Sequence, residues 1–275
     1  MGALIACLAF AAMLALGLHP LAVDAHAYWS SNAFHPYVGT GLYGQDGYFY
    51  SPAFTQAIGP LHALPWPLFA ALWTLLLTAA LLWVGRMWFG YLVLVPFVTI
   101  ELAMGNIHIL LAAAIVAGFR WPVAWAFVLL TKVTPGVGLV WFAARREWRA
   151  LGVALGATAV IVLVSFAISP SSWSEWLAML ATTNGTQAFQ PLPVGLIPLP
   201  ARVLIAAGLV AWGARTDRRW VVPVAATLAL PVIYINGLAM LVAVPYLLNT
   251  RSAPGPQQDW PAVQDVRRPV PFRSP

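Results

Sequence analysis

The chain has 275 residues, 61% of them hydrophobic and only 8% charged, with a mean hydropathy of +0.81. A globular domain carries about a quarter charged residues, and one water-facing core cannot bury this much apolar surface, so an ordinary soluble protein is excluded. The net charge of +6 comes from arginines at the ends of apolar runs, which is the pattern of topology signals and not of a nucleic-acid surface.

The apolar runs are continuous, whereas a β-barrel would alternate in segments of about ten residues. They predict an all-α polytopic membrane protein. In chain order they occupy 2–20, 66–85, 87–119, 121–144, 151–169, 197–214 and 220–248. The first has small residues after it in AVDAHA, as a cleavage site would, but no basic segment before it. It is expected to be retained as a span. It also holds Cys7, the single cysteine, which excludes an internal disulfide and a cysteine metal cluster.

Arg86, Arg120, Arg145, Arg146, Arg149, Arg215, Arg218, Arg219 and Arg251 mark one side of these runs, read as cytoplasmic. The segments 23–65 and 170–196 contain no Lys or Arg and are read as external. Runs 87–119, 121–144 and 220–250 begin and end at cytoplasmic markers, yet each is too short for two crossings of about 20 residues. They predict hairpins of short helices with apices at Gly105-Asn106, Thr134-Pro135-Gly136 and Asn236-Gly237, all turn-type sequences. The alternative makes 87–119 and 121–144 one span each. The expected architecture is a bundle of about eight to ten helices, some short or broken, with a large external first loop and cytoplasmic termini. Residues 1–251 form the membrane domain, and the Pro-rich, polar stretch 252–275 is expected to be a disordered cytoplasmic tail. Dinucleotide fingerprints, P-loops and zinc-protease motifs are absent, and no cofactor is expected.

The first external loop contains Asp24, His26, His35, Asp46 and His62 among many aromatics, including Tyr28, Trp29, Tyr37, Tyr48 and Tyr50. Aromatic residues at a membrane surface are ordinarily anchors, and that reading covers most of these. Asp24 differs, because an acid close to the end of a membrane helix is a functional candidate by default. Burial beside apolar surface raises a carboxyl towards working pH, as a general base requires. The plainer reading is a solvated loop aspartate. His26 shares a side with Asp24 only if the stretch is extended; in a helix it points away. Acid–histidine clusters also bind divalent metals, but the spacing here matches no strict metal motif, and none is expected.

Two polar clusters interrupt later apolar runs: Glu101 with Asn106 and His108, and Lys132, the single lysine, beside Thr131, Thr134 and Pro135. A lysine at a helix break suits a phosphate; the alternatives are snorkelling to an interface or an ion pair with Glu101. Arg202 is a second candidate for the phosphate. A carboxylate facing cations on one side of a membrane is what transfer from a lipid phosphate needs.

The order of Asp24, Tyr28 and Trp29, then GLY at 41–43, YFYSPAF at 48–54, GNIHILLAA at 105–113 and LLTKVTPGVGL at 129–139 resembles glycosyltransferase family 87. These are polyprenol-phosphate-mannose-dependent mannosyltransferases of the GT-C superfamily, and the resemblance spans about residues 20–145. It implies a GT-C-like bundle that transfers a hexose, mannose being expected and arabinose found in some relatives, from a polyprenyl-phosphate sugar with inversion. The expected acceptor is a glycolipid or glycan of the cell envelope, and the expected surroundings are membrane lipid with no nucleic acid. Asp24 matches the position of the base. Lys132 matches the family's lysine motif, and Gly105 and Asn106 its glycine–asparagine motif. The expected site comprises Asp24 as base, Lys132 and Arg202 for the donor phosphate, and His26, Tyr28, Tyr48, Tyr50, Glu101, Asn106 and His108 as substrate contacts. The other reading is a transporter or flippase of a lipid-linked precursor, a class that also uses short helices and buried charges. The chain is short for the family, and its C-terminal third, 150–251, carries no matching motif.

Overall fold

The computed structural model describes residues 22–32, 34–37, 48–183 and 192–248. The run 2–20 with Cys7, the GLY motif at 41–43, Asp46 and the tail 252–275 lie outside the described residues.

Within the described residues every regular element is helical. The first loop contributes α1 (Val23–Ser30) and α2 (Pro52–Ile58). Then come α3 (Trp66–Gly85), α4 (Phe89–Leu92), α5 (Pro96–Met104), α6 (His108–Gly118), α7 (Trp125–Thr131), α8 (Val140–Ala144) and α9 (Trp148–Ile168). The described residues end with α10 (Pro170–Thr183), α11 (Leu199–Arg215), α12 (Val221–Leu228) and α13 (Ala243–Leu248), with 3₁₀ turns between several of them. Proline stands in the first turn of α2, α3, α5 and α11. Its missing N–H costs nothing there, and its fixed φ suits the helix.

Two of these helices are long and apolar enough to cross a membrane: Trp66–Leu92, 27 residues through a 3₁₀ turn at Arg86, and Trp148–Ile168, 21 residues. At 1.5 Å per residue the 20 residues of α3 run about 30 Å and the 21 of α9 about 31 Å. A third crossing is added if the pair α5 and α6, bent by 106°, counts as one span. The remaining apolar runs within the described residues fold as shorter helices, so the expected bundle is represented there largely by its short and broken members. The first of the two long helices ends as a regular α-helix at Gly85, as the run 66–85 predicts, and Arg86 caps it at φ 48° where the 3₁₀ turn leads into the short α4.

The core forms where small residues let helices approach. On α6 the buried set is His108, Ile109, Leu111, Ala112, Ile115, Val116 and Gly118; α12 buries Val221, Val222, Ala225 and Ala226. Trp125 of α7 is fully buried and lies on the open faces of Gly118 and Gly138, where a Cβ would collide with its indole. By contrast, α9 buries only Ala154 and Ser165 and presents the rest of its apolar surface outward, as a lipid-facing helix does.

Three breaks matter. Gly105 ends α5 at φ 71°, and α6 starts at His108. Lys132 ends α7 in an extended conformation, ahead of the 3₁₀ turn Thr134–Leu139. The third break falls at 229–234, not at Asn236-Gly237, which lie inside the 3₁₀ segment Ile235–Val242. Arg202 of α11 braces it. Its Nε donates to the Ile197 carbonyl at 2.9 Å, one terminal nitrogen to Leu228 and Leu230 at 3.2 and 2.7 Å, and the other to Pro231 at 2.9 Å. The last three carbonyls lie at or just past the end of α12, where the helix supplies no partner, and that of Ile197 lies just before α11.

The two sides inferred from charge each assemble. Arg145 joins Glu147 at 2.7 Å to Asp217 at 3.1 Å, bringing two arginine-rich corners together. On the other side Ser172 of α10 donates to the Phe34 carbonyl, Trp176 to that of Phe49, and His35 meets Glu175 at 2.9 Å.

Candidate active site

The site gathers where the first loop meets the breaks before α6 and after α7. The start of α1 is pinned to α5 by the Ala22 N–H donating to the Ala103 carbonyl at 2.6 Å. Gly105 allows this approach, since a Cβ there would stand 2.6 Å from that of Ala25, and its positive φ disfavours any side chain. The Trp73 indole donates to the Gly105 carbonyl at 2.7 Å and fixes the turn. On the other flank, Ser51 of the first loop donates to the Leu130 carbonyl of α7, two residues before Lys132.

Asn106 sits at the centre. Its Oδ1 accepts the Ile107 N–H at 2.7 Å and faces the Tyr50 hydroxyl at 3.5 Å. With Oδ1 receiving both donors, Nδ2 is the group turned to Asp24, with which Asn106 hydrogen-bonds. Tyr50 in turn meets the Tyr28 hydroxyl at 2.9 Å. Asp24 and Tyr28, four residues apart on α1, lie on one helical face.

The Asp24 residue is partly exposed, yet its Oδ2 is buried and has no hydrogen-bond partner among the described residues. Loss of hydration raises its pKa from 3.8 to about 6; the Asn106 hydrogen bond lowers it, nearby Glu101 raises it and Lys132 lowers it. The carboxylate therefore shares one electrostatic environment with the only lysine. A buried oxygen with an unused lone pair can accept a proton from a hydroxyl brought to it.

Glu101, His108 and Lys132 form the second half. The Glu101 Oε1 accepts the backbone N–H of His108 at 2.5 Å, a donor at the start of α6 that has no helical partner. Its Oε2 faces the His108 Nδ1 at 3.0 Å and accepts the Asn236 side-chain N–H at 3.0 Å. Lys132 Nζ lies 2.9 Å from His108 Nε2 and 5.9 Å from the centre of the Tyr50 ring. The sequence left open a Lys132–Glu101 ion pair; the two are instead separated by His108.

Most of the residues singled out from sequence are thus brought together: Asp24, Tyr28, Tyr50, Glu101, Asn106, His108 and Lys132. Five of the assigned roles meet a different geometry. Glu101 and His108, read as substrate contacts, are 0% and 2% exposed and engaged with each other, so neither offers surface to a ligand. Tyr48, also read as a substrate contact, is buried behind Tyr50, with ring centres 5.5 Å apart. His26 lies on the far face of α1, against Trp29 and Trp66 with ring centres 5.4 and 4.8 Å away. Residues two apart on a helix are separated by about 200°, so it stands away from Asp24. Arg202, read as a phosphate ligand, has its guanidinium on four backbone carbonyls. Asn236 was read only as a turn residue. Its signal was a polar side chain inside an apolar run, the same one that exposed Glu101.

The family model of glycosyltransferase family 87 matches residues 48–255. The chain belongs to glycosyltransferase family 87. It is therefore a glycosyltransferase, acting on a sugar donor and an acceptor. The matched stretch carries Tyr50, Glu101, Asn106, His108, Lys132 and Asn236 of this glycosyltransferase's polar cluster; Asp24 and Tyr28 precede it. Comparison with curated proteins and with solved structures returned no match.

Proposed function

We propose that this glycosyltransferase moves a hexose, mannose in the first instance, from a polyprenyl phosphate to a hydroxyl of a glycolipid or glycan on the external face of the cell membrane. The observation that carries this reading is the buried Oδ2 of Asp24, without a hydrogen-bond partner among the described residues and in one cluster with Lys132. The acceptor hydroxyl gives its proton to Asp24 Oδ2 as its oxygen forms a bond to the anomeric carbon. The bond from that carbon to the phosphate oxygen breaks on the opposite face, so the configuration inverts. The polyprenyl phosphate leaves with the electron pair, and Lys132 stabilises its charge. Tyr28, Tyr50 and Asn106 hold Asp24 in place. The external site follows from the absence of Lys and Arg in 23–65, and the GT-C-like bundle from the family's expected fold.

Asp24→Asn preserves the shape and removes the base. In proteoliposomes given polyprenyl-phosphate mannose and a membrane extract as acceptor source, it is expected to lower transfer by about a hundred- to ten-thousand-fold, with unchanged expression and insertion. Transfer at the native rate would remove Asp24 as the base.

A further inference from the structure

We propose that Glu101, His108 and Asn236 are positioning residues that hold the Lys132 ammonium, without direct contact to Glu101, at the point where a lipid phosphate is bound. The inference rests on the reading of Lys132 as a phosphate ligand. It assigns the buried groups around that lysine and gives the C-terminal third of the chain a part in the site.

The argument begins with what each group has left to offer. A carboxylate accepts about four hydrogen bonds. Glu101 already takes three, from the His108 backbone, the His108 ring and Asn236, and has no exposed surface. It is fixed by α5, by the start of α6 and by the segment Ile235–Val242 at once. An ammonium is a donor only. The 2.9 Å contact from Lys132 Nζ therefore makes His108 Nε2 an acceptor. The neutral ring then carries its proton on Nδ1, directed at Glu101 Oε2 3.0 Å away. One carboxylate thus selects the tautomer, and the tautomer selects where the lysine sits.

Placing a neutral imidazole between the two charges has a chemical consequence. A carboxylate in direct contact with Lys132 would cancel the charge that a phosphate needs. His108 supplies an acceptor without a countercharge, using one of the three ammonium protons. The others remain for a phosphate oxygen, above the face of Tyr50. Lys132 also ends α7, where the partial negative charge of the helix C-terminus favours a cation.

Glu101→Gln tests this directly. If the glutamine oxygen keeps the His108 backbone N–H, its amide presents hydrogens to Nδ1. The ring must then move its proton to Nε2 and point an N–H at the ammonium. Purified protein in nanodiscs is titrated with farnesyl phosphate, and the His108 ring nitrogens are followed by ¹⁵N NMR. The wild type is expected to bind the probe and to show protonated Nδ1. Glu101→Gln is expected to weaken binding by about tenfold or more, the scale set by partners that orient a ligating side chain, and to shift the proton to Nε2. Asn236→Ala removes a single hydrogen bond to Glu101 and is expected to weaken binding about threefold, a comparison that stands even if Glu101→Gln fails to fold. Wild-type affinity in Asn236→Ala and any folded Glu101→Gln, or protonated Nε2 in the wild type, would overturn the relay while leaving Lys132 as the phosphate ligand. A wild type that does not bind farnesyl phosphate would overturn the phosphate reading itself.

Discussion

A carboxyl group pulled upward by burial and downward by an asparagine donor and a lysine titrates near neutrality, and Asp24, at about 6, is such a group. In the proposed mechanism the base is active when ionised, so kcat/KM is expected to fall with a slope of one below a pH of about 6, and Asp24→Asn to lack that limb. Stability moves the other way. The folded value lies above the ordinary 3.8, so the favourable contribution of protonated Asp24 is full below that ordinary value and lost as pH rises through about 6. Acidification from pH 7 to 5 should therefore reduce transfer while this residue's contribution to folding increases, which parallel rate and melting measurements would resolve. A wild-type rate flat from pH 7 to 4.5 would contradict this assignment. Asp24 and Lys132 were legible in the sequence because a charge in an apolar setting is an anomaly that physics must explain. Their partners were not. Tyr28 meets Tyr50 across 22 residues and Asn236 meets Glu101 across 135, and no local pattern encodes such pairings.

At the scale of elements, turn chemistry announced two of the three breaks. Gly105 permits a positive φ, and the Thr134-Pro135-Gly136 stretch begins a 3₁₀ turn as α7 ends at Thr131. The third was misplaced because the position of that break depends on Arg202, whose partners lie up to 29 residues away. Arg202→Met keeps the bulk and removes the donors, leaving the carbonyls of Ile197, Leu228, Leu230 and Pro231 without this partner. The loss is expected to be about 3 kcal/mol or more, seen as a lower melting temperature in detergent, with farnesyl phosphate affinity kept in the folded fraction. A melting temperature equal to the wild type together with lost affinity would return Arg202 to the role of phosphate ligand. The lengths of the short helices were illegible for a related reason. Their apolar runs continue past the ends that packing and hydrogen bonding impose, as in α7, which stops at Thr131 although Val133 follows.

For the whole molecule, the arginine pattern and the contacts describe the same two sides by independent means. The corner at Arg145 and Glu147 is tied to the corner at Asp217, and both lie among arginines. The loops without Lys or Arg are joined through Ser172, Trp176 and Glu175. Between these two assemblies runs α9, 21 residues and about 31 Å long, which matches the hydrocarbon thickness of about 30 Å. Its ends are then expected on opposite faces of the membrane, with the arginine end inside. Arg149 and Ser174 are both exposed and stand at or just beyond the two ends. In a Cys7→Ser background, Ser174→Cys is expected to react with a membrane-impermeant maleimide on intact cells, and Arg149→Cys only after permeabilisation. Labelling of both from the same side would mean that α9 does not cross. Labelling in the reverse order would put the Asp24 cluster, which shares its side with Ser174 through the first loop, on the cytoplasmic face, where the donor sugar would have to be presented from the opposite leaflet.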